Sequence, residues 1–528
     1  MFTKVLIANR GAIACRIIRT LSEMGVQSVS IYSLADADSL HVSQADEAYS
    51  LGEGGAKQTY LDIEKVIAIA KKCGAQAIHP GYGFLSENVE FVRACEANDL
   101  VFLGPTPEQM LEFGLKHRAR EIAEEANVPL LPGSDLLVDL DDALICAEKI
   151  GYPVMLKSTA GGGGIGMQRC NSAEELSQAY DSVKRLSENN FSNSALFLEK
   201  FIVHARHIEV QIFGDGEGHA IALGERDCSA QRRNQKVIEE CPAPNLADDV
   251  RQQLHSTATR LAASVNYRNA GTVEFVFDQQ DQKFYFLEVN TRLQVEHGVT
   301  ELVYNVDLVN WMVSLAAKEL APLAELEKTL VAKGHAIQVR MYAEDANKSF
   351  QPSAGLISHV KWATEIDQGT LRIDHWLESG TEVSPFFDPM LAKVICHSES
   401  REQALTGLKQ ALIRSEIYGI ETNKDYLHQL LSSKVVEDAE LLTQTLNSFV
   451  YLPCSIDVLA GGTQTTIQDY PGRKGYWNIG VPPSGPMDSV SFRLANTLLG
   501  NTDDAAGLEI TVSGPTLRFN SATRIVLA

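Results

Sequence analysis

Leu156-Lys157-Ser158-Thr159-Ala160-Gly161-Gly162-Gly163-Gly164-Ile165-Gly166-Met167-Gln168-Arg169-Cys170 is the stretch on which the fold turns. It contains G-x-G-x-x-G, the fingerprint of a dinucleotide-binding turn. That fingerprint needs a strand before it and a helix opening at its end. Here Gly166 runs straight into Met167–Cys170, which reads as strand, and Val154–Lys157 reads as strand on the other side. A glycine loop joining two antiparallel strands is a hairpin flap whose backbone N–H groups can close over phosphates. Lys157 can add a point charge to those phosphates. A turn that binds nothing would have the same composition, so the flap alone names no ligand.

Outward from the flap, strands and helices alternate over residues 1–115. Val5–Ala8 is a short apolar run, and Ile13, Ile17, Ile18, Leu21 and Met24 then follow at helical spacing until Gly25. Val29–Tyr32, Ala77-Ile78 and Val101–Leu103 read as further strands, with a helix over Ile63–Ala70. Strands alternating with helices predict a parallel sheet. Pro129, Pro132 and Gly133 mark a boundary, and the flap belongs to a lid over about residues 133–203. That lid carries a helix opened by a Ser172…Glu175 capping box. Period-two strands return at Ile208–Ile212, Thr272–Phe277 and Phe284–Val289. Residues 335–450 form a mixed segment, and Pro453 and Ser455 mark a last junction.

Bulk properties fit several soluble domains. With 528 residues, 45% hydrophobic and 22% charged, the chain suits three to four globular domains. Lys+Arg of 46 against Asp+Glu of 68 gives a net charge of −22. Nucleic acid and anionic membrane both need a basic face, so neither is an expected partner. Nine cysteines are scattered singly without a C-x-x-C pair, which argues against a zinc site or a disulfide framework. No signal peptide and no run of ~18 apolar residues is present. The expected location is cytoplasmic.

The most informative chemistry lies in Phe284-Tyr285-Phe286-Leu287-Glu288-Val289-Asn290-Thr291-Arg292-Leu293-Gln294-Val295-Glu296-His297. Glu288, Asn290 and Arg292 alternate to one face, with Glu296 close behind. Glu274, in the neighbouring Thr272–Phe275 strand, adds a carboxylate, and such an oxygen set suits Mg²⁺ shared with a nucleotide. Arg292 and Glu296 are then expected to form a cation/base pair. A solvated strand face could carry the same residues. The run Glu225–Lys236 packs four cations, which suits contact with a polyanion or a solvated surface. His204 and His207 lack a third ligand and fit a structural or hydrogen-bonding role better than a metal site.

Taken in order, Ile7–Gly11, His79–Asn88, the Lys157/glycine loop, Glu225–Lys236 and Glu288–His297 resemble the biotin carboxylase family over residues 1–450. The resemblance implies an α/β fold of ATP-grasp type. A Rossmann-like N-terminal domain (1–115) would precede an ATP-grasp domain (116–330) and a mixed α+β C-terminal domain (335–450). Position by position, it implies ATP on Lys116, Lys157, Gly162, Gly163, Gly164, Glu199, Lys200, Ile202, His207 and Gln231. It implies Mg²⁺ (or Mn²⁺) on Glu274 and Glu288 with Asn290 nearby. Bicarbonate would meet Lys236, Arg292, Gln294 and the backbone of Val295, with Glu296 as its base. Arg340 would stabilise the biotin enolate beside Gly83. Two positions depart from the family pattern: Asn234 stands where His is common, and Gly298 where Pro is usual.

Residues 455–528 read by composition as a Gly/Pro-rich all-β start. Gly461–Arg473 and Gly480–Asp488 resemble the opening of the carboxyltransferase half of urea carboxylase. The Arg524–Leu527 run reads as a strand, and no Met-Lys dipeptide is present for biotin attachment. The expectation is therefore the N-terminal part of a multidomain carboxylase acting on urea or guanidine. Biotin would be carried on another domain, with a carboxyltransferase domain as partner and an allophanate hydrolase downstream. An acyl-CoA or keto-acid carboxylase, a ligase joining a carboxylate to an amine, and a regulatory binding protein are the alternatives.

Overall fold

The computed structural model describes residues 1–159, 166–191, 195–233 and 235–528, with side chains throughout except at 116, 117 and 189–191. It divides into two compact units, 1–449 and 450–528. The glycines at 162–164, Asn234 and the Lys116 side chain lie outside the described residues.

The first unit opens with strands β1 (Lys4–Ile7), β2 (Gln27–Ser33), β3 (Glu47–Gly52), β4 (Ala77–His79) and β5 (Val101–Phe102). They form a parallel sheet in the order β3-β2-β1-β4-β5, as the alternation predicts. Val5, Leu6 and Ile7 are fully buried because helices cover both faces, so the strand is an unbroken apolar run. The order reverses between β1 and its neighbours, and the crevice at such a switch point is where α/β sheets bind ligands. Asn9 closes that crevice's floor. Its side-chain amide donates to the carbonyls of Pro80 and Tyr82, both at 2.7 Å, joining the loop after β1 to the loop after β4.

The strands on either side of the glycine loop pair as expected. Strands β6 (Val154–Ser158) and β7 (Met167–Cys170) pair antiparallel with Lys157 opposite Met167, and β8 (Leu196–Lys200) flanks β6. The helix Ala173–Phe191 follows, but its capping box is only half formed. The Ser172 hydroxyl accepts the Glu175 N–H, while the Glu175 carboxylate turns to the Asn171 N–H at 2.8 Å.

The second sheet is larger than the sequence suggests. Strands β9 (Ala205–Asp215), β10 (Ala220–Arg232), β11 (Gln235–Cys241), β12 (Arg268–Asp278), β13 (Lys283–Asn290) and β14 (His335–Tyr342) join Thr370–His375 and Met390–Ser398 in one eight-stranded antiparallel sheet. It crosses the 330/335 junction without a break, because β11 pairs with β14 from Ile238↔Val339 to Cys241↔Ala336. In β9, Ile208, Val210 and Ile212 pack on the helix Asp248–Ser264, while the alternate Glu209 and Gln211 are buried on the opposite face. Period two thus survives in the chemistry but not in the exposure. Arg226 explains why: it is fully buried and binds Glu209, Gln211 (2.8 Å) and Thr300 (3.0 Å).

In the second unit, Ile456–Ala460 pairs with Thr516–Phe519 and Gln464–Gln468 with Gly507–Thr511. The unit is not all-β. Ser489–Leu499 is a helix capped by the Asp488 carboxylate and ended by Gly500 in the left-handed region. Arg524–Leu527 is not a strand, since it pairs with no neighbour among the described residues. Among the described residues no helix is long and apolar enough to cross a membrane.

Candidate active site

A cavity of about 520 Å³ lies between the lid strands and the larger sheet. Lys157 and Glu199 reach it from the lid, and His207, Gln231, Lys236, Glu274 and Glu288 from the sheet. Asn290, Arg292, Gln294, Val295 and Glu296 follow β13 into it, and Arg340 enters from β14. A second cavity of about 320 Å³ shares Arg292, Val295, Arg340, Tyr342 and Asp388 and adds Gly83 with Asn9–Ile13, where the helix Gly11–Glu23 begins, and Tyr82–Phe84. The switch-point crevice and the lid cavity therefore meet along Arg292, Val295, Arg340, Tyr342 and Asp388.

Lys236 is the electrostatic centre. Its ammonium lies 2.7 Å from Glu209, 3.0 Å from Glu274 and 2.7 Å from Glu296. Burial works against the charge, but the three carboxylates overcome it and hold the lysine well above its ordinary range. Glu296 is fully buried, which alone would push its carboxyl up. Lys236 first, then Arg340 and Arg226, hold it well below the usual carboxylate range. Glu296 is therefore an ionised carboxylate shared by two cations, Lys236 and Arg340, the latter at 3.0 Å.

The expected Arg292–Glu296 pair does not form. Arg292 instead binds Glu87 (2.8 Å), Gln294 (2.9 Å) and Asn290 (3.0 Å). The reason is geometric: β13 ends at Asn290, and beyond it residues 292 and 296 no longer share a strand face. The Glu225–Lys236 run also divides. Arg226 is locked in the core, Arg232 pairs with Glu344 and lies over the Phe350 ring, and Arg233 is exposed at the hairpin turn. Of the four cations, only Lys236 faces the cavity.

Glu274 and Glu288 stand directly opposite each other across β12 and β13, and the Asn290 amide donates to Glu274 at 2.9 Å. Burial favours the neutral acid at Glu274, but Lys236 and His207 outweigh it and keep the group ionised. His207 Nε2 lies 2.9 Å from that carboxylate, and its Nδ1 meets the Gln231 amide at 2.8 Å. Hard oxygen donors on two paired strands fit a divalent cation of the Mg²⁺ type.

Lys157 of the lid and Arg120, on the helix Lys116–Glu125 that precedes it, both bind Glu199. Lys200 points elsewhere, donating to the carbonyls of Gly151 (2.8 Å) and Tyr152 (3.1 Å), and Ile202 packs against Leu131, Ala205 and Val276. Neither side chain lines the cavity. Sequence reading missed Glu209, Glu239, Glu87 and Arg120. Glu239 is buried against Arg340 and Gln338, and Glu209 sits mid-strand between isoleucine and valine. A charged residue inside an apolar strand was the available signal for both. Cys228 was missed as well. Its sulfur lies 3.9 Å from Glu296, and burial keeps the thiol protonated.

A switch-point sheet, a hairpin lid with a lysine at its mouth and a carboxylate-rich cavity beneath define an ATP-grasp ligase. Family models for the biotin carboxylase N-terminal domain, the carbamoyl-phosphate synthase L chain ATP binding domain and the biotin carboxylase C-terminal domain match residues 1–110, 116–324 and 338–448. A model for carboxyltransferase domain subdomains A and B matches residues 479–528. The chain is 47% identical to biotin carboxylase 2 of Bacillus subtilis over 447 residues, covering 84% of this chain and 99% of that one. It belongs to the biotin carboxylase family. It is also 50% identical over 530 residues to the urea amidolyase of Saccharomyces cerevisiae, covering all of this chain but 28% of that one. Among solved structures, the Kluyveromyces lactis urea carboxylase matches 98% of this chain and 39% of its own, at 45% identity and a TM-score of 0.78. A biotin carboxylase–β,γ-ATP complex from Campylobacter jejuni matches 85% of this chain and 99% of its own, at 39% identity and a TM-score of 0.81.

Proposed function

We propose that this chain carboxylates biotin with ATP and bicarbonate, through carboxyphosphate, as the first half-reaction of a urea carboxylase-like enzyme. The observation that carries it is the position of Lys236. One buried ammonium joins Glu296, which binds the Arg340 shared by both cavities, to Glu274 in the nucleotide cavity.

In this reading Lys157, the glycines at 162–164, Lys116, Glu199, His207 and Gln231 hold ATP, with the backbone of Lys200–Ile202 as hinge. Glu274 and Glu288, with Asn290, would hold Mg²⁺ or Mn²⁺, which neutralises phosphate charge when bound. Lys236, Arg292, Gln294 and the Val295 amide bind bicarbonate. An anion that draws on Lys236 weakens its hold on Glu296 and raises the basicity of that carboxylate. Glu296 then takes the bicarbonate proton, leaving an oxygen able to attack the γ-phosphate. The lid excludes water from the mixed anhydride. Arg340, which opens onto both cavities, would hold the ureido oxygen of biotin beside Gly83.

The domains would divide at 1–115, 116–330, 335–450 and 455–528, in a cytoplasmic protein. The carboxyl acceptor would be urea, with guanidine as runner-up, and similarity to urea amidolyase and urea carboxylase along the whole chain favours this branch. A carrier domain bearing biotin, a carboxyltransferase domain and an allophanate hydrolase would complete the pathway. ADP release measured with and without bicarbonate and free biotin tests the reading. Turnover should require bicarbonate and rise with biotin. ATPase activity unchanged by removing bicarbonate would sink it, and turnover that needs an amine instead would favour a carboxylate–amine ligase.

A further inference from the structure

We propose that Lys393 and His297 are positioning residues that shape the bicarbonate site by holding two consecutive carbonyls away from it. The inference rests on the reading just given, because it concerns the same pocket.

Lys393 lies on the strand Met390–Ser398, opposite Arg340 of β14 on one side and Asp374 on the other. That register places Arg340, Lys393 and Asp374 in one row across three strands. The two cations reach adjacent residues of one segment. Arg340 binds the Glu296 carboxylate at 3.0 Å, and Lys393 donates to the Val295 carbonyl at 2.9 Å. Lys393 is fully buried, with Asp374 at 3.3 Å as its counter-ion, itself bound by Arg372 at 2.8 Å. His297, also fully buried, meets the Gln294 carbonyl through Nδ1 at 2.7 Å. A carbonyl only accepts, so Nδ1 carries the proton. Burial and the nearby cations Lys393, Arg16 and Arg372 keep the ring neutral.

The effect falls on the other side of the segment. Among the described residues, the amide N–H groups of Gln294, Val295 and Glu296 donate no hydrogen bond within the protein. They sit where Lys236, Arg292 and Arg340 converge. If the carbonyls of residues 294 and 295 could rotate, their oxygens would enter the anion pocket and replace attraction with repulsion. Two buried side-chain donors from behind, joined at Gln294 by the longer His297 backbone N–H at 3.4 Å, prevent this. A charged lysine is costly to bury, and a methionine would fill the same volume without that cost. The charge is therefore better explained by its grip on Val295 than by packing.

The test uses the full chain and measures two quantities in each variant: the KM for bicarbonate in ATP turnover, and the Kd for ATP by calorimetry. Lys393→Met should raise the bicarbonate KM tenfold or more while the ATP Kd stays within twofold. Lys393→Arg should recover part of the loss. His297→Phe should act in the same direction but less strongly, and His297→Asn, which restores a donor, should reverse most of it. A bicarbonate KM within twofold of wild type in Lys393→Met would overturn the proposal. So would an ATP Kd that rises as much as the bicarbonate KM, since that is the signature of a general packing defect. If Lys393→Met fails to fold, the Lys393→Arg and His297 variants read the same quantity, and unchanged bicarbonate KM in all three would also overturn it. Wild-type turnover indifferent to bicarbonate would instead remove the functional reading itself, before any variant is compared.

Discussion

Residues 1–449 and 450–528 use similar residues to opposite ends. In the first unit, ion pairs are sunk into the core. Arg226 and Glu209 are both fully buried, and Lys236 gathers three carboxylates beneath the lid. In the second, the corresponding pair, Arg518 and Asp457, is 63% and 42% exposed at 2.8 Å. Apolar side chains follow the same division. The first unit closes its leucines and phenylalanines into continuous clusters, whereas Trp477, Met487 and Val512 of the second are mostly exposed. Buried charge needs a surrounding shell to hold it. The unit with that shell is the one that can tune a carboxylate and a lysine for chemistry.

The largest effect expected in this contrast is at Glu296. Glu296→Ala should lower bicarbonate-dependent turnover by about 10²- to 10⁴-fold, the usual contribution of a general base, while ATP still binds. Wild-type turnover in that variant would end its role. Next comes Arg226→Met, which leaves Glu209 with Lys236 as its only cation among the described residues. It should destabilise the first unit by about 3–5 kcal/mol in urea unfolding. Arg518→Met should leave the unfolding curve of the second unit unchanged, as exposed pairs contribute little. Equal losses in both would dissolve the distinction between the two regions.

A smaller effect is expected at Gly298, where an added Cβ would lie 2.5 Å from the Ile395 Cδ1. Gly298→Ala should cost about 1 kcal/mol, and Ile395→Val in the same chain should relieve it. The space a side chain at position 298 would need is taken by Ile395. A loss that Ile395→Val does not relieve would point to the backbone instead.

The smallest effect is on pH dependence. Burial lowers Lys393 to about 8, with Asp374 only partly offsetting it. The charges facing it are Asp374 and Arg372 on the neighbouring strand, Glu301 on the helix His297–Tyr304, and Arg16 on the helix Gly11–Glu23. His297 is neutral. As pH rises through about 8 the ammonium loses its charge, so the bicarbonate KM should climb about twofold to threefold. Lys393→Arg, which keeps its charge, should flatten that climb. The same climb in both proteins would assign it to another group.

Much of this was legible in the sequence where signals are local. The parallel sheet followed from apolar runs alternating with helical spacing, and the flap from the strand after Gly166. Glu274 and Glu288 were placed together because both lie on recognisable strands. What escaped depends on distant partners. Nothing near residue 335 announces that β14 will pair with β11, and nothing near Arg292 announces Glu87. The exposed Arg524–Leu527 run shows the converse: apolar residues in sequence are no strand without a neighbour to bond. The helix Ser489–Leu499 carries local signals in Asp488 and Gly500, but the surrounding glycines and prolines mask them.

The unbroken eight-stranded sheet also says where this chain can be recombined with its relatives. A chimera joined at 330/335 would ask a foreign strand to take up the Ile238↔Val339 to Cys241↔Ala336 register and to aim its own arginine at Glu296. The pieces most alike in family terms are therefore poor units of exchange. A junction at 449/450 cuts no strand of either unit, so grafting there should leave the chemistry of the first unit with its donor.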